Sequence, residues 1–201
     1  MSPAPSNCTA FAGDRCIASG DRKAVALAVK RTLAWGEDKP VLIFEDGTGK
    51  QIDFDLSGTP AQVLGRLSLE EEPAEPPAGP RGRGRPKLGV VPREVTLLPR
   101  HWEWLSGQPG GASVALRKLV EAASRGPEGK ARDGRDAAYR FIAALAGDFP
   151  GFEEAARALY ARDAAAFEGH TAGWASDVRA HARRLAGGWL APQASGASNG
   201  A

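Results

Sequence analysis

A short run of basic residues is the strongest chemical signal in this sequence. Residues 80–93 hold five basic side chains and no acidic one: Arg81, Arg83, Arg85, Lys87 and Arg93. Guanidinium and ammonium groups bind phosphates, whereas the formal net charge of the whole 201-residue chain is only +2. The positive excess therefore lies in one stretch, and we expect a polyanion such as DNA to bind there.

An acidic, proline-rich stretch comes directly before the basic run. Glu70, Glu71, Glu72 and Glu75 are followed by Pro76, Pro77 and Pro80. Such a composition buries too little apolar surface to compensate for the entropy lost on ordering. The sequence therefore predicts that residues 70–92 form a disordered linker, acidic at its start and basic at its end.

The spacing within the basic run resembles the AT-hook, an extended peptide that enters the minor groove of A·T-rich DNA. The resemblance rests on Arg83-Gly84-Arg85-Pro86, flanked by Arg81 and Lys87. A narrow A·T groove attracts Arg, Gly lets the backbone approach the groove floor, and Pro keeps the chain extended. Gly82 stands where the family pattern has proline. Nonspecific contact with a polyanion and a purely solubilising linker are the alternatives.

The segment that follows, residues 93–124, resembles the ribbon-helix-helix family of DNA-binding dimers. It reads as a strand over 94–98, a helix from Pro99, a glycine-containing turn, and a second helix capped by Ser113. The resemblance implies that the strand pairs with that of a second chain and that Thr96 faces the major groove. It also implies that the Ser113 helix start binds a phosphate. Glu94 and Leu98 depart from the usual polar or basic ribbon, and a hairpin packed on the rest of the fold is the alternative.

Motifs of catalysis are missing from the sequence. Asp46-Gly-Thr-Gly-Lys resembles part of a phosphate-binding loop, but Phe44 occupies the position of its first glycine and Gln51 that of its hydroxyl residue. A turn is the better interpretation. Because no nucleophile elbow, metalloprotease motif or Cys-x-x-Cys pair is found either, we expect no enzyme activity and no cofactor.

The cysteines and histidines give only weak indications of a site. Cys8 and Cys16 are predicted to lie on neighbouring strands as small buried side chains. His170 and His181, with Asp177, have a spacing that a metal site would allow, but packing or surface positions are favoured and no metal is expected. Among the aromatic residues, Trp102 is predicted to face the core, which leaves Trp104 free to stack on a base.

The elements around these residues predict an α+β fold. Residues 1–69 read as a small domain of order ββαββα, with a hairpin at Gly13-Asp14, a helix capped by Asp21 and another that begins at Thr59-Pro60. Residues 132–190 read as a cluster of three amphipathic helices, the last of them capped by Thr171. Residues 191–201 are predicted to form a disordered tail.

Composition and resemblance complete the functional hypothesis. No apolar run approaches the roughly 20 residues of a membrane span, and the N-terminus lacks the features of a signal peptide. The stretch from Gly84 to Val120 also resembles an uncharacterised bacterial family. We therefore expect a cytoplasmic, nucleoid-associated bacterial DNA-binding homodimer, regulatory or architectural, that has no membrane partner. The alternative is a dimeric, antitoxin-like adaptor whose main ligand is another protein.

Overall fold

A computed structural model describes residues 7–71, 91 and 93–192. The sequence-predicted ββαββα order of the N-terminal part is confirmed. The elements of this part are β1 (Asn7–Ala12), β2 (Arg15–Asp21), α1 (Arg22–Ala34), β3 (Val41–Glu45), β4 (Gln51–Ile52) and α2 (Pro60–Glu71). The elements that follow are all helical: α3 (Pro99–Ser106), α4 (Gly111–Arg125), α5 (Pro127–Leu145), α6 (Phe152–Tyr160), α7 (Ala164–Thr171) and α8 (Ser176–Leu190).

The strands form one antiparallel sheet in the order β2-β1-β3-β4. Asp21 ends β2 and caps α1, because its carboxylate accepts from the backbone N–H groups of Lys23 and Ala24. Strand β4 is shorter than the alternation over 51–56 predicts. Phe54 and Leu56 pack against the buried residues of α1 and α2 instead of extending the sheet.

Both faces of the central strand β1 are covered. Cys8 and Ala10 pack with Val25 and Val29 of α1, whereas Phe11 belongs to the core of the C-terminal helices. Phe11, Phe44 and Phe141 have ring centroids 5.0–6.3 Å apart. The sheet and the C-terminal helices therefore share one hydrophobic core, since alternate side chains of a strand point to opposite faces.

The C-terminal region has four helices among the described residues, and the sequence prediction of three was wrong. Helix α5 begins at Pro127, because proline is favoured in the first turn of a helix even after a polar segment. Thr171 does not cap α8. It is the last residue of α7, fully buried, and its hydroxyl donates to the carbonyl of Phe167. A hydroxyl bonded to its own helix is not free to cap the next one.

The strand predicted over 94–98 is not formed. Residues 93–98 pair with none of the four strands of the sheet, and a single strand without a neighbour has no stabilising ladder. Ser113 is not a helix cap, because α4 begins at Gly111 after Gly110, whose φ of 86° suits only glycine well. The helix predicted to begin at Pro99 is confirmed, and its residue Leu105 is buried.

Candidate functional site

The residues predicted from the sequence to contact DNA fall into two groups. Arg81, Arg83, Gly84, Arg85, Pro86 and Lys87 lie outside the described residues. Arg93, Thr96 and Ser113 are exposed, the first two in the segment before α3 and the third in the first turn of α4. No described hydrogen bond or ion pair joins these three, so they do not form a compact site in the single chain.

The hairpin of α3 and α4 carries exposed apolar side chains. Leu119 and Val120 of α4 are 50% and 65% exposed, although their spacing predicts a buried face. Other exposed apolar side chains lie on α3 or just before it, namely Val95, Leu98, Trp102 and Trp104. Trp102 was predicted to face the core, but it remains 38% exposed. The hairpin therefore presents an apolar surface that the described chain leaves uncovered.

A polar cluster between the sheet and α8 is the most elaborate arrangement of chemically active groups in the described chain. It joins Thr9 of β1, Ser19 of β2, Asp46 after β3, and His181 and Arg184 of α8. Thr9 is 1% and His181 5% exposed. Sequence reasoning did not find this cluster, because its members are separated by as many as 175 positions.

Thr9 is the centre of this cluster. Its hydroxyl donates to Asp46 Oδ1 at 2.8 Å, which uses its only proton. Its two lone pairs then accept from Arg184 Nη2 at 3.0 Å and from the Ser19 hydroxyl at 3.0 Å. The full hydrogen-bonding capacity of a buried threonine is satisfied in this way, as burial requires. Ser19 is consequently the donor in this contact.

The tautomer of His181 follows from its neighbour. Arg184 Nη2 lies 2.6 Å from His181 Nδ1, and a guanidinium only donates, so Nδ1 accepts and the proton sits on Nε2. Among the described residues Nε2 has no hydrogen-bond partner, and it lies 3.9 Å from Asp46 Oδ1. Burial, together with the smaller effect of the positive charge of Arg184, lowers the pKa of His181 to about 4. The imidazole is therefore neutral near pH 7.

Two clefts open on either side of Arg184. The larger, of about 450 Å³, is bordered by Asp46 and Gly47, by Lys130 and Asp133 of α5, and by Arg184 itself. The smaller, of about 240 Å³, is bordered by Thr9, Cys16, Ser19, Asp177 and His181. Acidic and basic groups alternate around the larger cleft. Its mixed charge favours neither a simple anion nor a simple cation.

The remaining candidate ligands and nucleophiles are engaged or inactive. Asp177 accepts from the backbone N–H of Cys16 at 2.9 Å, which ties α8 to β2. Both cysteines are free thiols, and burial raises the pKa of Cys8 to about 11 and that of Cys16 above its usual value. Within residues 7–71 and 93–192, no group of three His, Cys, Asp or Glu side chains is placed to hold a metal ion.

The turn at Asp46-Gly-Thr-Gly connects β3 with β4 and presses against α5. Gly49 has a φ of +65°, and a Cβ atom there would collide with the backbone carbonyl of Ala137. The carbonyl of Thr48 accepts from Arg140 of α5 at 2.7 Å. These contacts support the interpretation of this motif as a turn. Position 49 needs glycine because the backbone there has a positive φ and packs against α5. The turn places Asp46 next to Arg184 of α8.

Comparison with known proteins defines the class of this chain. A family model described as an uncharacterized protein conserved in bacteria, DUF2239, matches residues 7–186. The chain belongs to this bacterial family. No curated protein and no solved structure gives a significant match. None of the described helices is both long and apolar enough to cross a bilayer.

Proposed function

We propose that this protein is a bacterial DNA-binding protein, regulatory or architectural, that acts as a dimer. The observation that carries the proposal is the concentration of five basic residues and no acidic one in residues 80–93. Arginine and lysine supply the phosphate contacts that dominate affinity for DNA. Arg83-Gly84-Arg85-Pro86 is the segment proposed to lie in a minor groove.

The exposed cations after this segment support a wider DNA contact. Arg93, Arg100 and Lys118 are exposed, and within the described residues none of them forms an ion pair. Unpaired cations are free to replace the counterions of a phosphate backbone. Thr96 and Ser113 are exposed hydroxyl groups near the same hairpin, and we assign them to phosphate or base-edge contacts.

The proposed dimer interface is the apolar surface of the α3–α4 hairpin. Leu119 and Val120 are too exposed for a core position, and covering them with a second copy removes apolar surface from water. A dimer also doubles the number of basic segments that bind one duplex, which raises affinity through effective concentration. No ribbon strand over 94–98 is required for this arrangement.

The experiment that tests the function is a binding titration with A·T-rich and G·C-rich duplexes at several salt concentrations. We expect binding that weakens steeply as salt increases, and that is tighter on the A·T-rich duplex. Absence of binding to either duplex at low salt would reject the DNA proposal. The dimeric, antitoxin-like adaptor would then be favoured, because the exposed hairpin surface supports a protein partner independently of the basic segment.

A further inference from the structure

An apolar groove runs along the solvent side of α1. Its lining residues are Ala24, Leu27, Lys30, Arg31 and Ala34 of α1 together with Pro60, the first residue of α2, and its volume is about 450 Å³. Ala24, Leu27, Arg31 and Ala34 are three or four positions apart, so they form one stripe along the helix. Short alanine side chains on either side of Leu27 leave the depression open.

The charge of the groove is positive. Lys30 and Arg31 border it, and among the described residues no carboxylate does. The Lys30 ammonium donates to the carbonyl of Leu56 at 2.7 Å, which holds it at the rim with two protons still available. The Arg31 side chain is exposed and forms no described ion pair. The groove is therefore complementary to an apolar peptide that carries negative charge.

An exposed tryptophan follows the last lining residue of α1 in the sequence. Trp35 follows Ala34 directly, ends α1 as its C-cap, and is 86% exposed. Proline-rich peptides in the polyproline II conformation bind apolar grooves bordered by such aromatic rings. The apolar lining and the two cations of the groove, with this exposed ring one residue beyond Ala34, favour an acidic, proline-rich occupant.

We propose that residues 72–80 of this same chain, which lie outside the described residues, bind this groove. Their sequence is Glu-Pro-Ala-Glu-Pro-Pro-Ala-Gly-Pro, with two carboxylates and no basic residue. A polyproline II helix has three residues per turn, so Glu72 and Glu75 would share one edge and the prolines the other two. That pattern matches a groove whose lining has two cations and is otherwise apolar.

The length of the chain permits this contact. Helix α2 is about 16 Å long at 1.5 Å per residue, and it begins at Pro60, which is part of the groove. Nine residues in the polyproline II conformation span about 28 Å. The segment that follows Glu71 is therefore long enough to return along α2 and reach Arg31 and Trp35 within one molecule.

Disulfide trapping in the full chain tests the contact. The variant Ala34→Cys/Ala78→Cys, with Cys16→Ser to remove the partly exposed native thiol, is oxidised mildly at low protein concentration. We expect an intramolecular disulfide, detected by mass spectrometry of the digested protein. Adding Arg31→Glu should slow its formation roughly fivefold, the size expected for loss of exposed ion pairs. Lys50→Glu is the matched control, an exposed cation just before β4, and should leave the rate unchanged.

A second measurement separates this chain's segment from other occupants. A synthetic peptide of residues 70–80 is titrated into the full-length Glu72→Lys/Glu75→Lys variant, whose own segment no longer complements the groove. Saturable binding that Arg31→Glu weakens supports the proposal. Three results overturn it: no disulfide, a disulfide between two chains, or peptide binding that Arg31→Glu does not change. Neither readout involves DNA, so the outcome is independent of the proposed function.

Discussion

Arg184 Nη2 donates to His181 Nδ1 over 2.6 Å, and burial together with this permanent cation holds the imidazole in its neutral form. The same nitrogen donates to Thr9 and lies 3.4 Å from Asp46 Oδ2. One side chain of α8 therefore connects the helix to the first strand of the sheet and to the turn after the third. The position of α8 therefore depends on the contacts of Arg184 with Thr9 and Asp46.

The first prediction concerns the pH dependence of stability. The pKa of His181 is about 4 in the folded chain, and its ordinary value is 6.5. Below pH 6.5 the unfolded chain binds a proton that the folded chain does not, so stability falls from pH 6.5 down to about pH 4. The difference corresponds to about 3 kcal/mol. Urea unfolding of the wild type and of His181→Asn at several pH values measures it.

We expect the His181→Asn variant to lose less stability than the wild type over this range, whatever its stability at neutral pH. His170 is exposed, so His170→Asn is the matched control and should retain the wild-type slope. Equal slopes for wild type and His181→Asn would show that the imidazole is not held neutral by its surroundings.

The second prediction concerns the hydroxyl of Thr9. Thr9→Val preserves shape but removes the donor to Asp46 and the acceptor for Arg184 and Ser19. Among these partners the Asp46 carboxylate is the one that is largely buried, and leaving a buried polar group without a partner costs about 1–3 kcal/mol. We expect Thr9→Val to destabilise the fold more than Thr9→Ser, which keeps the hydroxyl but loses a methyl group. Chemical denaturation compares the two, and the reverse order would mean that packing, not hydrogen bonding, determines this position.

The third prediction concerns the turn at Asp46-Gly-Thr-Gly. Gly49→Ala forces a side chain into a left-handed conformation and against the Ala137 carbonyl, so it should cost at least about 2 kcal/mol. Gly47 lies two positions away, and a Cβ atom there has open space. Gly47→Ala should therefore change the free energy of unfolding little. Similar losses for both variants would contradict the close packing of the turn on α5.

Local patterns in the sequence were sufficient to predict much of the fold. The hairpin at Gly13-Asp14, the Asp21 cap and the helices after Pro60 and Pro99 depend on neighbouring residues, and the structure confirms them. The polar cluster could not be predicted, because Thr9 meets Arg184 only after the sheet packs on α8. The helix periodicity of α4 was correct, but periodicity cannot show whether Leu119 is covered by the same chain or by another.

The fourth prediction concerns the proposed dimer. If α4 forms the interface, Leu119→Gln/Val120→Gln should convert a dimer into a monomer, because polar groups would replace the apolar contact. Light scattering across the micromolar range gives the mass. Leu69→Gln is the control, since Leu69 is 72% exposed on α2 and outside the proposed interface. A monomeric wild type would contradict the proposed dimer. A double variant that remains dimeric would mean that the dimer forms through another surface.

The last prediction concerns the basic segment. Arg83→Ala/Arg85→Ala should weaken DNA binding and reduce the slope of log affinity against log salt by about 1.8, since each phosphate contact contributes roughly 0.9. A loss that is larger on A·T-rich than on G·C-rich duplexes is expected, because only a narrow minor groove concentrates enough negative potential to hold both guanidinium groups. Fluorescence anisotropy with the two duplexes measures both effects.

Arg125→Ala/Arg157→Ala is the matched control for this experiment. It removes the same charge from exposed arginines that already pair with Glu121 and Glu154 on α4 and α6. These arginines lie outside the basic segment, so the salt slope should change less than for Arg83→Ala/Arg85→Ala. Equal losses of affinity for both duplexes would mean that the segment binds DNA without a preference for A·T-rich sequence. Unchanged binding would shift the DNA contact to Arg93, Thr96 and Ser113, where single substitutions can then locate it.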